Sequence, residues 1–122
     1  MRIAERLAKD VKADVLITGE NVGQVASQTV QGLVVTDNAV QMPVMRPLIA
    51  MDKVDIMAIA QKIGTFDISI QPYEDCCTVF LPKHPSTKPK LESILRSEAN
   101  LDVEALIDSV FETMEEYTIF PE

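Results

Sequence analysis

Asp14-Val15-Leu16-Ile17-Thr18-Gly19-Glu20-Asn21-Val22-Gly23-Gln24 is the stretch on which the fold turns. Val15, Leu16 and Ile17 are apolar without alternation, the pattern of a short strand in a parallel sheet covered on both faces. Gly19 ends the strand. Glu20 and Asn21 then lead into a helix with Val22, Val25, Ala26, Thr29, Val30 and Leu33 along one side. A strand, a glycine and a helix in immediate succession predict an α/β fold, whose ligands meet the carboxyl ends of the strands.

Working outward, Ile3, Leu7 and Val11 stand four apart and predict an amphipathic helix over residues 1–12. Gly32 weakens the helix that begins at Glu20–Asn21 and predicts a break before Val40. Pro43-Val44-Met45-Arg46 is a second short strand, ended by Pro47. Asp52 is placed to cap the next helix with its carboxylate; Ile56, Ile59, Ala60 and Ile63 face inward and Gly64 closes the end. Residues 65–88 keep no period and carry Pro72, Pro82, Pro85, both cysteines and the sole histidine. A loop of that length in a compact domain tends to be functional. Helices are predicted again over Pro89–Ser97 and Asp102–Tyr117, the latter with Val103, Leu106, Ile107, Val110, Phe111 and Met114 as its apolar stripe. Two strands make a marginal sheet. Further strands are therefore expected from residues before Met1 or from a partner chain, and a homodimer is one way to supply them.

The composition bounds the function. The chain has 122 residues, 47% of them hydrophobic and 25% charged, which suits one globular domain or a piece of one. No apolar run approaches the ~20 residues of a membrane span, and the charged start, Met1-Arg2-Ile3-Ala4-Glu5-Arg6-Leu7, has no secretory core. No membrane partner is expected, and the cytoplasm is the default location. Net charge is −8, and no basic residue follows Arg96, whereas Lys83, His84, Lys88, Lys90 and Arg96 gather just before the acidic tail. A polyanion would meet only that basic stretch, so the segment by itself is a poor nucleic-acid binder.

Gly19 at the carboxyl end of a strand allows a ligand close to the backbone, and the helix start favours anions; the plain alternative is a turn that needs glycine for its dihedrals. With glycines at 19, 23, 32 and 64 alone, neither a Walker sequence nor GxGxxG is present. Gln28 is able to donate and accept hydrogen bonds to a base or ribose, or else is simply solvated. The adjacent Cys76 and Cys77 do not suit a relaxed disulfide, and are either buried structural thiols or include a nucleophile. Lys83, His84 and Lys88 would lower a thiol pKa, while Glu74 and Asp75 oppose it. Two thiols and one histidine fall short of a closed zinc site, so no metal ligands are assigned. His84, between Lys83 and Pro85, reads as extended and exposed, and no Ser-His-Asp arrangement can be built on it.

Several motifs together resemble one family. Val15 to Thr29, then Arg46-Pro47-Leu48-Ile49 with Asp52-Lys53 and Ile63-Gly64-Thr65, are similar to the second half of the ATP-pyrophosphatase (PP-loop) domain of bacterial tRNA 4-thiouridine synthetases. Tyr73-Glu74-Asp75-Cys76-Cys77 and Pro82-Lys83-His84-Pro85 extend the likeness, which covers roughly residues 1–95. The resemblance implies a truncated, Rossmann-like α/β domain of the adenine nucleotide α-hydrolase type, with residues 96–122 as an acidic helical tail. It implies an enzyme that uses ATP and Mg²⁺ to adenylate a uridine in tRNA. Sulfur from a persulfide, loaded by a cysteine desulfurase, then displaces AMP, and the same protein feeds thiamine thiazole synthesis. By that likeness Gly19 and Gln28 match ATP-binding positions, and Cys76 or Cys77 matches the essential cysteine. Counted from the N-terminal side the match is Cys76, and counted back from Lys83-His84-Pro85 it is Cys77.

The SGGxDS phosphate loop, the THUMP and ferredoxin-like domains and a rhodanese domain are absent from these 122 residues. The chain therefore reads as part of a rhodanese-lacking member, inactive alone. Another PP-loop pyrophosphatase, such as a 2-thiouridylase, would keep the Arg46-Pro47-Leu48 and Asp52-Lys53 motifs but lack the cysteine loop. A non-catalytic binding or dimerisation module would use the acidic final helix as its contact.

Overall fold

Helix α1, Arg2–Asp10, starts the chain and is held by a contact that its hydrophobic pattern does not announce. Its buried residues are Glu5 and Ala8, while Ile3, Leu7 and Val11, the stripe expected to face inward, are 43%, 38% and 66% exposed. The Glu5 carboxylate accepts hydrogen bonds from the backbone amides of Gln41 (2.7 Å) and Met42 (2.8 Å), just ahead of the second strand, and Lys9 Nζ lies 3.3 Å from its other oxygen. The side of α1 that meets the sheet is thus chosen by two amide groups needing an acceptor. The helix closes with Lys12 at φ 58°, and Ala13 N–H reaches back to the Ala8 carbonyl at 2.8 Å.

The structure, a computed structural model, describes residues 1–23, 28–73 and 86–120. Strands β1 (Leu16–Ile17) and β2 (Val44–Met45) pair in parallel, Leu16 beside Val44 and Ile17 beside Met45. The ladder runs through Leu16 N–H to Pro43 O (2.9 Å) and Thr18 N–H to Met45 O (3.0 Å). Leu16 is buried on the side where α1 packs, whereas Ile17 and Met45 remain 69% and 59% exposed, so one face is covered where two were expected. Among the described residues the sheet has these two strands, in keeping with the sequence.

Helix α2, Val30–Asn38, begins later than predicted and runs through Gly32 without a break. Gly32 is in its first turn, and its N–H donates to the Thr29 hydroxyl at 3.1 Å, which caps the helix. Helix α3, Lys53–Lys62, has Asp52 at the capping position in extended conformation, but the carboxylate accepts no capping hydrogen bond. At its other end Gly64 adopts φ 75°, with Thr65 N–H to Ala60 O at 2.9 Å and Gly64 N–H to Gln61 O at 3.2 Å. That double closure requires the left-handed conformation and explains the glycine. Ile56 and Ala60 are half-buried toward a short helix α4, Phe66–Ser69, which occupies a stretch read from the sequence as loop; Ile59 and Ile63, expected inside, are exposed.

Helices α5 (Leu91–Glu98) and α6 (Val103–Glu112) return to the first half of the chain, α5 onto α2 and α6 onto α1. Asp102 caps α6 through Ala105 N–H at 3.1 Å, and Ile107 is its buried residue. The predicted extension to Tyr117 does not form. Glu112, Glu115 and Glu116 would crowd the negative end of the helix dipole. Arg2 makes a forked pair with Glu98, and Arg6 pairs with Asp108 while stacking 4.7 Å over the Phe111 ring. No helix among the described residues is long and apolar enough to cross a membrane.

The amide hydrogen bonds from Gln41 and Met42 hold Glu5 below the ordinary carboxyl pKa, with desolvation opposing them and Lys9 assisting. A depressed folded pKa stabilises above the unfolded value, near 4.5, and is lost as pH falls through the folded one. The substitution Glu5→Gln should therefore lower Tm at pH 7, with the difference from the parent narrowing as pH drops below 4.5. Thermal melts across that range test it, and a pH-independent difference contradicts it.

Candidate functional site

Because β1 and β2 are parallel, their carboxyl ends open on one edge, where Thr18-Gly19-Glu20 leaves one strand and Arg46-Pro47-Leu48 leaves the other. Gly19 is exposed, with nothing within 4 Å of where a side chain would begin, and its φ is outside the left-handed region. The dihedral requirement falls instead on Gly23, at φ 92°. Gly19 therefore leaves room at the strand end that a ligand is able to use, and a turn requirement does not explain it.

The turn after Gly19 is laced to the β2 side. Asn21 is only 5% exposed, and its Nδ2 donates to the carbonyls of Leu48 and Met51, the latter at 2.7 Å. Val22 N–H donates to Ile49 O at 3.0 Å. Asn21 N–H donates to Gln28 Oε1 at 3.0 Å, and Gly23 N–H to the Gln28 carbonyl at 3.4 Å. These contacts explain why no helix starts at Asn21. Its side chain satisfies carbonyls of another segment, and the sequence pattern carries no trace of them. They also orient Gln28. A peptide N–H only donates, so the carboxamide atom facing Asn21 must be the oxygen, and the amide nitrogen presents its hydrogens elsewhere. Gln28 is thus held against the turn through its side-chain oxygen.

A second lacing is ionic. Arg46 Nε donates to Glu20 Oε2 at 2.8 Å, and Nη2 to Asp37 Oδ1 at 2.6 Å with Thr36 Oγ1 at 3.5 Å. The Arg46 side chain is 11% exposed. Glu20 also accepts from Thr18 Oγ1 (3.0 Å) and lies 3.3 Å from Thr36 Oγ1. Burial alone would lower the Arg46 pKa, but its hydrogen bonds to Asp37 and Glu20 outweigh that and raise it above the usual arginine value. The cation is permanent and committed to the protein.

Sequence reading singled out Gly19 and Gln28, and both belong to this turn, joined through Asn21. It gave Glu20, Asn21, Thr36 and Asp37 no role in a site, and Arg46 entered it only within the Arg46-Pro47-Leu48-Ile49 motif. An arginine closing an apolar strand directly before a proline was the one available signal. Cys76, Cys77, Lys83 and His84 lie outside the described residues. Elsewhere, a cavity of about 410 Å³ beside α1 is lined by Arg2, Arg6 and Lys9, but these already pair with Glu98, Asp108 and Glu5. Among the described residues no group of three or more His, Cys, Asp or Glu converges as a metal site.

A parallel pair of strands with helices packed beside it, and a glycine at the open strand edge, is an α/β arrangement. The family described as "Thiamine biosynthesis protein (ThiI)" matches residues 1–103, and the chain belongs to that family. Among its relatives is a probable tRNA sulfurtransferase of Alkaliphilus metalliredigens, 66% identical over 115 residues, which cover 94% of this chain and 29% of that protein. Another, from Acetivibrio thermocellus, is 60% identical over 119 residues, 98% of this chain and 30% of the relative. The crystal structure of a 4-thiouridine synthetase–RNA complex with bound ATP is similar at a TM-score of 0.84 and 41% identity, over 92% of this chain and 29% of that one. The chain thus spans under a third of the relatives it matches, and its truncated α/β fold agrees with the one expected of a PP-loop domain.

Asn21→Ala should leave the Leu48 and Met51 carbonyls short of their donor and cost about 1–3 kcal/mol of stability. Urea unfolding measures it, and a loss within ~0.3 kcal/mol would show that these carbonyls find other donors.

Proposed function

We propose that this chain is part of the catalytic domain of a tRNA sulfurtransferase that converts a uridine of tRNA to 4-thiouridine and supplies sulfur to thiamine thiazole synthesis. The observation that carries the reading is the turn after β1, where an open Gly19 and a Gln28 held by the Asn21 N–H share the strand edge. That turn belongs to the segment matched by the ThiI family and by the ATP-bound synthetase. Residues 1–95 would belong to the ATP-pyrophosphatase unit, with residues 96–122 as an acidic appendage, in a cytoplasmic protein.

In this reading ATP lies along the strand edge, its nucleoside end beside Gly19 and its acceptor atoms facing the Gln28 amide hydrogens. The phosphates reach toward a loop of SGGxDS type that these 122 residues do not contain. Mg²⁺ would be carried on the phosphates whose charge it neutralises. The uridine carbonyl oxygen attacks the α-phosphorus and pyrophosphate leaves. The step turns a poor leaving group into AMP. The outer sulfur of a persulfide then attacks the carbon and AMP departs; a second thiol attacks the inner sulfur and breaks the S–S bond, which frees 4-thiouridine and leaves a disulfide for an external dithiol to reduce. Cys76 or Cys77 carries that sulfur or opens the persulfide that does, with a cysteine desulfurase as the donor.

The alternative reading, a non-catalytic binding or dimerisation module, gains nothing from an open glycine at the strand edge. In the full-length protein, Cys76→Ser and Cys77→Ser are to be compared for ATP-dependent formation of 4-thiouridine in tRNA, with a cysteine desulfurase as sulfur source. One of the two should lose thiolation while still adenylating tRNA. Full activity in both would remove the cysteine pair from the chemistry.

A further inference from the structure

We propose that Arg46 is a positioning residue for the nucleotide site, acting through Glu20 and Asp37 to fix the backbone of the Gly19 turn. The inference rests on the nucleotide reading above. Glu20 follows Gly19 directly, so whatever fixes its side chain limits where the Gly19 peptide is able to lie. Glu20 is fixed from three sides, by Arg46 Nε at 2.8 Å, Thr18 Oγ1 at 3.0 Å and Thr36 Oγ1 at 3.3 Å. Arg46 in turn is anchored at the end of β2 and, through Nη2, to Asp37 in the last turn of α2 at 2.6 Å. The guanidinium therefore spans the ends of β1, β2 and α2.

Arg46 does not have the form of a ligand contact. Its side chain is 11% exposed, and its forked donors point at two carboxylates within the protein. Nor is it filler for an apolar gap, because a planar group with two separate donor directions is matched here to two separate carboxylates. Its position gives it a bearing on ATP without touching ATP. If the Glu20 end is released, the Gly19 peptide loses that restraint, and Gly19 is exposed with open space where a side chain would begin.

The test uses the full-length protein, with ATP affinity measured by calorimetry on a non-hydrolysable analogue and kcat measured at saturating ATP. Arg46→Lys retains the charge but loses the fork, and should weaken nucleotide binding about tenfold with kcat within about twofold and the KM for tRNA unchanged. Glu20→Gln retains an acceptor for Arg46 Nε and should show about a threefold loss, a partial rescue that a structural role would not produce. Should Arg46→Lys fail to fold, Glu20→Gln and Asp37→Asn carry the same comparison. Gln28→Glu serves as the control for the site itself, since it preserves the acceptor toward Asn21 and removes the donor toward ATP. If Gln28→Glu weakens nucleotide binding while the Arg46, Glu20 and Asp37 variants only lower Tm, the positioning role is wrong and the site stands. If Gln28→Glu also leaves binding unchanged, the nucleotide reading itself fails.

Discussion

A guanidinium removed from water is tolerated only where its donors are matched, and that requirement organises the carboxyl edge of this sheet. Arg46 stands at the end of β2, and its two carboxylate partners come from the segment leaving β1 and from the last turn of α2. Pairing Nε with Glu20 and Nη2 with Asp37 fixes these ends relative to one another. The pairing of β1 with β2 involves two residues in each strand, far too little to set that geometry by itself. The ionic clasp and the Asn21 hydrogen bonds to Leu48 and Met51 act on opposite sides of the same turn. Together they tie down the residues that follow the exposed Gly19.

The rest of the molecule supports this edge from behind. Glu5 reaches from α1 to the amides of Gln41 and Met42, ahead of β2, so the helix steadies the strand by its entry. Helices α5 and α6 fold back on α2 and α1, with Arg2 and Arg6 pairing to Glu98 and Asp108. The core that results is thin: Ala8, Leu16 and Ile107 are its buried hydrophobic residues among those described. Ile17, Met45, Val54 and Ile63 lie exposed at 69%, 59%, 75% and 65%. So much apolar surface, in a chain that spans under a third of its relatives, fits a unit whose stability depends on neighbouring structure.

What could be read from the sequence was what depends on neighbours in the chain. The two strands were legible, because Leu16-Ile17 and Val44-Met45 sit between turn-forming residues, and so were α1, α3 and α5. The left-handed closure at Gly64 followed from the residue itself. What depends on distant partners was not legible. The stripe Ile3, Leu7 and Val11 suggested one buried face for α1, yet the deciding contact is a carboxylate serving two amides about 36 residues away. The start of α2 was misplaced because Asn21 and Gln28 answer to groups outside any local period. Gly19 and Gln28 were raised by the residues themselves and matched to ATP-binding positions by resemblance; what the sequence did not carry is the Asn21 N–H that joins the glycine turn to the glutamine.

In the reading proposed above, ATP binds against the segments after β1 and β2, which shared hydrogen bonds join into one unit. Hydrogen–deuterium exchange on the full-length protein, with and without ATP, tests it most directly. The account predicts that ATP slows exchange in residues 18–23 and 46–51 together, because the two segments share hydrogen bonds. Protection confined to other parts of the chain, with both of these segments unchanged, would contradict it.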